Sequence, residues 1–459
     1  MPYNALGVAH SVKNGHKLFR ARITRVTTSE KPRGLTLKAL LVSAFDLYGG
    51  AARAAHRLHQ GLRLANIDSQ MLVQVKQSYA PYILGPKATS ATAQITHGAR
   101  VLLNQMPVKL YPNHDRTLFS PQWLYSDVAK KIHKLNPDIV NLHWTSGGYL
   151  QIESITKINK PIIWTLHDMW AFTGGCHYTQ NCDRYKVSCG ACPQLGSTKE
   201  HDLSRHVWQR KANAWKNHRF TLVALSHWMS DVIKCSPLLK DSHIEVIPNG
   251  LNTKIYRPFD PTIARDILGL PHGKKLLLSG SLDISSEKRK GSNLLLSALR
   301  NLQKTDWRDN LEIVVFGSSN PEKPIDLGLK VHYLGILNDD YSLALAYSAV
   351  DTFVAPSLQD NLPNTVMEAL ACGTPCIAFN IGGMPDMIEH LQNGYLTIPY
   401  QVDDLTKGIT WILENQERHQ KLSYRARQKI TQNFSQEIQA SRYQALFESI
   451  LHSKESFNY

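Results

Sequence analysis

PSLQDNLPNTVMEALACGTPCIAFNIGGMPDMIEH, residues 356–390, holds a strand end, a loop, a helix and the next strand in one run. The apolar run VDTFVAPS stops at Pro356, and a polar loop follows with Asp360 and Asn361. A helix is expected to begin around Pro363, where the fixed φ and missing N–H of proline do no harm in a first turn. The small, turn-prone Gly373-Thr374-Pro375 ends it, and TPCIAFN supplies another short apolar run. Strand, helix and strand in this order predict a parallel pair joined by a crossover helix.

Outward from this unit, the same alternation fills the chain. In the second half the strand candidates are KKLLLSGS, LEIVVFGS, VHYLGIL, VDTFVAPS, TPCIAFN and GYLTIP; in the first half they are LKALLVSAF, QMLVQVK, DIVNLHW, PIIWTLHD and FTLVALS. Nearly continuous apolar runs of this length suit strands covered on both faces. Two such blocks predict an α/β chain of two doubly wound, Rossmann-like domains. At 459 residues it is too long for one ordinary core. Residues 78–122 interrupt the rhythm and read as an insertion with its own helix. IEVIPNGLNTKIYRP (244–258) carries an Asn-Gly pair and two prolines, and reads as a hinge. The expected parts are an extension at 1–36, domains at 37–250 and 251–430, and a C-terminal helix at 431–459 packing back on the first domain.

In sheets of this kind, ligands sit beyond the carboxyl ends of the strands. Four loops there carry polar chemistry. After VDTFVAPS come Asp360 and Asn361, then Leu362, Pro363, Asn364 and Thr365, whose N–H groups at the opening of a helix form a seat for an anion such as a diphosphate. Glu368 lies one turn further in and can accept from ribose hydroxyls. After KKLLLSGS come Lys288, Arg289 and Lys290, cations able to neutralise a diphosphate. After the first strand, Gly49 and Gly50 let the backbone approach a phosphate or an acceptor. Closing PIIWTLHD, His167 and Asp168 should project into the cleft, with Asp168 orienting the imidazole. A full G-x-G-x-x-G is absent, which argues against a dehydrogenase.

Segment 356–390 resembles the donor-binding signature of retaining glycosyltransferase family 4: two acids separated by seven residues, followed by A-C-G-T-P. The string H-D-M-W-A-F-T-G-G-C-H-Y (167–178), with the cysteines after it, is similar to the branch of that family found in bacterial exopolysaccharide and lipopolysaccharide assembly, including colanic acid synthesis. The resemblance covers roughly residues 37–430. It implies the GT-B fold, in which two Rossmann-like domains face each other across a cleft, with the first on the acceptor side and the second binding the donor. It also implies that Glu368 binds ribose, Asp360 contacts the transferred sugar, Lys290 matches the family's lysine and His167 lies beside the donor sugar. Asp360 departs from the usual glutamate. Ser281 stands where the family carries an arginine, whose place Arg289 would take. The implied activity is transfer of a hexosyl group from a nucleoside-diphosphate sugar to a saccharide or lipid-linked acceptor, with retention and without a catalytic cofactor. A nucleotide-sugar epimerase and a catalytically inactive nucleotide-binding partner subunit are the alternatives.

Cys176, Cys182, Cys189 and Cys192 fall inside seventeen residues. Four thiolates at this spacing are expected to hold a structural zinc, with His177 able to replace one, or else to remain packed reduced thiols. Apolar residues are 42%, charged residues 19% and the net charge is +15. Residues 1–38 hold eight Lys/Arg against Glu30 alone, so this arm reads either as a contact for nucleic acid or for the anionic headgroups of a membrane carrying a lipid-linked substrate, or as a solvated extension. No nucleic-acid module is visible. With neither an apolar leader nor a run near the ~20 residues that span a bilayer, the expected place is the cytoplasm, peripheral on the inner face of the membrane.

Overall fold

The computed structural model describes residues 37–115, 117–280, 282, 287–317 and 327–455, with backbone alone at 454–455. The basic extension at 1–36 and Ser281 lie outside the described residues.

The first block runs β1 (Lys38–Phe45), α1 (Gly50–Leu64), β2 (Asp68–Val75), β3 (Ile83–Leu84), α2 (Ala91–Lys109), α3 (Val128–Leu135) and β4 (Ile139–Leu142). It continues through α4 (Ile152–Ile155), β5 (Ile162–Leu166), α5 (Leu203–Trp215), β6 (Thr221–Ala224), α6 (His227–Lys234) and β7 (His243–Val246). All seven strands are parallel, in the order β3-β2-β1-β4-β5-β6-β7, with Leu41 opposite Met71 and Leu41 also opposite Asn141. β4 is buried along its whole length, as its apolar run predicts for a strand covered on both faces. The stretch read as a hinge begins as a strand: β7 is an edge strand with no fully buried residue, so its pattern was too weak to stand out. The insertion does carry its own helix, α2.

The second block runs α7 (Pro261–Leu268), β8 (Lys275–Ser279), α8 (Ser292–Gln303), β9 (Leu311–Val315), β10 (Val331–Tyr333), α9 (Asp340–Ser348), β11 (Thr352–Ala355) and α10 (Asn364–Ala371). It ends with β12 (Cys376–Phe379), α11 (Met384–Met387), β13 (Gly394–Thr397), α12 (Val402–Leu413), α13 (Gln416–Asn433) and α14 (Gln436–Glu455). Its six strands are also parallel, in the order β10-β9-β8-β11-β12-β13.

The chain returns to the first block at its end. Leu251 N–H donates to Phe434 O and Gln436 N–H to Leu251 O, each at 2.9 Å. α14 then lies against α1, and Ala440, Tyr443 and Phe447 join the core that holds Leu41, Leu58 and Met71. The Tyr443 and Thr165 hydroxyls meet at 2.7 Å inside that core. In both sheets the strand order reverses once, between β1 and β4 and between β8 and β11. Those reversals are where an α/β sheet opens a crevice at the strand carboxyl ends.

Candidate functional site

The loops after β8 and β11 meet at Asp360. Its carboxylate is buried and accepts from Lys290 Nζ at 2.8 Å, while Arg289 Nη1 stands 3.1 Å away. Ser357 Oγ at 3.3 Å and the Tyr178 hydroxyl at 3.4 Å also donate to it. Burial alone would raise this carboxyl; Lys290 and then Arg289 outweigh burial and hold it well below the usual carboxylate range. Arg289 is fixed in turn: Nη1 donates to Gln359 O at 2.7 Å, Nε to Glu287 at 2.9 Å, and its guanidinium lies over the Tyr178 ring at 4.2 Å. The Lys290 side chain remains 45% exposed, so one cation of the pair stays open to the cleft.

Two glycines allow this crossing of loops. A Cβ on Gly291, at φ +69°, would stand 1.9 Å from Pro356 O; one on Gly382, at φ +54°, would stand 1.9 Å from Asp360 O. Both positions therefore demand glycine twice over, for the left-handed backbone and for the space. Gly382 was not singled out from the sequence, although its Ile-Gly-Gly setting was a visible signal of close backbone approach.

From the first sheet, His167 follows β5 and reaches the same space. Its Nε2 lies 3.0 Å from His143 Nδ1, a residue after β4 that the sequence reading passed over. Burial lowers both imidazoles, His167 to about 4 despite the opposing pull of Asp168, so both are neutral at pH 7. Asp168 does not orient His167 as expected. It accepts instead from His177 Nδ1 at 2.6 Å, Trp144 Nε1 at 3.1 Å and Trp170 N–H at 2.9 Å. Asp168 still borders the cleft, but its carboxylate is taken up by its own loop, in which His177 is also bound to Ser120 Oγ at 2.9 Å. His177 is thereby committed to this network and is not a stand-in for a cysteine.

α10 opens onto the cleft, with Pro363 (φ −67°) as the residue before it. The first bonds of the helix run from Val366 and Met367 N–H to Pro363 O, which leaves the N–H groups of Asn364 and Thr365 ahead of them at the crevice. Asn361 and Asn364 carry out a task that was not legible in the sequence: they tie the two blocks together. Asn361 donates to Leu166 O (3.0 Å) and His167 O (3.2 Å) and accepts from Ser226 Oγ (2.7 Å). Asn364 donates to Gly50 O at 2.9 Å, which seats the Gly49-Gly50 turn on the start of α10.

One cavity of about 700 Å³ joins these parts, lined by Gly49, Gly50, Trp144, His167, Asp168, Tyr178, Arg289, Lys290 and residues 360–365. A second, of about 450 Å³, shares Glu287, Lys290, Pro363 and Thr365 with it and runs back toward Ser279, Phe316 and Gly317. Glu368 is the exception among the expected donor-side residues, for it lines neither cavity. One turn into α10 it faces α1, accepting from Arg57 Nη2 at 2.8 Å and from the Tyr347 hydroxyl at 3.1 Å. Arg57 was missed because it sits on the buried stripe of an otherwise ordinary amphipathic helix.

The four clustered cysteines line a small void of about 10 Å³, room for a single water-sized sphere. Yet among the described residues no group of three or more His, Cys, Asp or Glu side chains is placed to hold a metal ion. The expected zinc set is thus gathered without being closed. Burial pushes Cys189 up to about 12 and Cys192 to about 11, so as placed they are neutral thiols.

Residues 48–255 match the family model described as Glycosyltransferase Family 4, and residues 263–429 match Glycosyl transferases group 1. A putative colanic acid biosynthesis glycosyl transferase, WcaC of Escherichia coli K12, is 24% identical over 363 residues, covering 74% of this chain and 82% of that protein. N-acetyl-alpha-D-glucosaminyl L-malate synthase of Bacillus anthracis is also 24% identical, with 76% and 83% covered. Among solved structures, sucrose-phosphate synthase of Thermosynechococcus elongatus superposes with a TM-score of 0.66 at 18% identity, covering 91% of this chain and all of that one. WaaG, a glycosyltransferase of lipopolysaccharide biosynthesis, does so with 0.58 at 15%, covering 88% and 98%. Anabaena HepE, solved with UDP, gives 0.59 at 15%, covering 90% and 100%.

Proposed function

This chain belongs to the family 4 glycosyltransferases and has their two-domain GT-B fold, and on that footing we propose a specific transfer. A sugar moves from a nucleoside-diphosphate donor to a lipid-carried saccharide, with retention at the anomeric carbon, during assembly of a bacterial surface polysaccharide. The observation that carries this reading is the convergence of Lys290, Arg289, Asp360 and the opening turn of α10 on one cavity between the sheets. The nucleoside occupies the smaller cavity toward Phe316 and Gly317, and its diphosphate lies where the two cavities share Lys290, Pro363 and Thr365. Lys290 exchanges part of its contact with Asp360 for the leaving phosphate, and the first N–H groups of α10 add to it. Charge held ready where it develops is the largest lever available to such a site. Asp360, released toward the larger cavity, accepts from the sugar hydroxyls. His167, neutral at pH 7, hydrogen-bonds the sugar from the facing sheet.

The relatives support the donor class and the pathway. HepE was solved with UDP and with UDP-glucose, and WcaC is named for colanic acid biosynthesis. A melting-temperature panel of nucleoside diphosphates and their sugars tests the donor site, because a ligand bound only by the folded chain raises its melting temperature. One nucleoside diphosphate should stabilise the protein, and Lys290→Ala should lose both that shift and nearly all transfer. Normal turnover in Lys290→Ala, or no stabilisation by any member of the panel, removes the assignment.

A further inference from the structure

Helix α2 is built inside out. A surface helix ordinarily turns its apolar stripe toward the core and its polar face toward water. Here the inward positions are Ala93, His97, Arg100, Asn104 and Val108. Arg100 donates to Gly148 O and Tyr125 O, both at 2.7 Å, His97 packs edge-on against Phe45, and the Asn104 amide is buried with neither polar atom partnered. The outward positions are Ile95, Leu102, Leu103, Met106 and, just past the helix end, Leu110, which are 44% to 81% exposed. These recur at helical spacing and form one stripe, which is an apolar patch that asks for a partner.

We propose that this stripe seats the enzyme on an anionic lipid bilayer, with α2 lying in the interface beside the mouth of the cleft. Charge selects this occupant. From Ser69 to His114 the chain carries no Asp or Glu, while Lys76, Lys87, Arg100 and Lys109 are cationic. Lys87 and Lys109 are exposed. A second copy of the same face would meet cations with cations, whereas anionic headgroups complement both the lysines and the apolar stripe. Exposed tyrosines at 79, 82 and 125 suit the headgroup level. No described helix is long and apolar enough to cross a membrane, so the mode is attachment in the plane. Position gives the attachment a purpose. Phe45, which touches His97 on the inward face of α2, lines the 700 Å³ cavity with Tyr48, Leu118 and Trp144, so the helix that carries the stripe stands beside the wall of that cavity. This deepens the acceptor half of the function proposed above, and its test reads lipid binding rather than transfer, so each can fail alone.

Flotation of the full chain with vesicles of phosphatidylcholine containing phosphatidylglycerol decides the matter. The basic extension is kept in every protein compared. The parent should float with the vesicles, and Leu102→Ser/Met106→Ser/Leu110→Ser should float roughly tenfold less at equal lipid, with an unchanged melting temperature. Lys87→Glu/Lys109→Glu should float less than the parent at low salt, with a smaller difference between low and high salt. A parent that stays with the protein fraction, a triple variant that floats as well as the parent, or a parent dimer that the triple variant breaks would each overturn the proposal.

Discussion

Asp360 stands between two cations that it neutralises and a cavity that it faces. Removing its charge should therefore separate binding from transfer. In Asp360→Asn both cations lose this carboxylate; Arg289 keeps Glu287, and Lys290 is left open to phosphate. The dissociation constant for the stabilising nucleoside diphosphate should stay level or fall, while turnover drops on the order of a hundredfold; calorimetry beside single-turnover rates checks both. If affinity and turnover fell together, Asp360 would be acting by holding the loop alone. Histidines set a second demand. Burial, helped by His56 and Arg63, lowers His59 to about 3, and burial lowers His167 to about 4. Unfolded, both titrate near 6.5, so below that value the unfolded chain binds more protons and stability falls as pH drops. Each group's slope approaches about 1.4 kcal/mol per pH unit. Denaturant melts between about pH 7 and pH 5 should show this loss, and His59→Gln should have a shallower slope. An equal slope would exclude His59 as a contributor. The residues were readable in sequence wherever a strand end fixes them, as for Lys290 and Asp360. Partner choice within a folded loop was not, and Asp168 bonding His177 rather than His167 is the instance.

At the level of elements, the strands after which the site loops begin were legible because parallel strands buried on both faces leave continuous apolar runs. β7 escaped because a partly exposed edge strand, His243–Val246, leaves no such run. α2 was legible as the helix of the insertion, but not its orientation. Its apolar stripe has the period of a core-facing helix, sequence cannot say which way a stripe points, and the inward side carries Arg100 and Asn104 instead. The glycines that pass one loop through another give this scale its test. Gly382→Ala should shift the Asp360 loop, since its Cβ would meet Asp360 O at 1.9 Å. Turnover should be lost with the sheet intact by circular dichroism. Gly269→Ala is the control: φ there is also positive, +64°, but nothing lies within 4 Å of the added carbon. That variant should lose only about 1 kcal/mol of stability and keep its turnover. If both variants behaved alike, backbone strain rather than loop collision would explain the first.

Across the whole molecule, what joins the two sheets also shapes the cleft between them. Asn361, Asn364 and α14 each reach from one block to the other, and a buried ion pair joins them, Arg57 with Glu368, whose side chains are 6% and 4% exposed. Burial opposes the Arg57 cation, the Glu368 carboxylate outweighs burial, and the guanidinium ends above its ordinary range. Asp340 and the Tyr256 hydroxyl complete the shell at 3.4 Å and 3.0 Å. Because Glu368 lines neither cavity here, its first task in this structure is to hold α1 to α10. Deleting one member of a buried pair strands the other, so Glu368→Ala should cost about 3–5 kcal/mol of stability. Arg57→Ala should cost a comparable amount, while Arg57→Met/Glu368→Met, with no charge left to strand, should recover most of the loss. The double-mutant cycle in denaturant then shows a large coupling if the pair is a clamp. Additive losses, together with donor binding abolished in Glu368→Ala alone, would mean that the carboxylate leaves Arg57 and turns to the ribose when the donor arrives. In that case α1 and α10 must part at this point during turnover, and the clamp becomes the element that reports an occupied site.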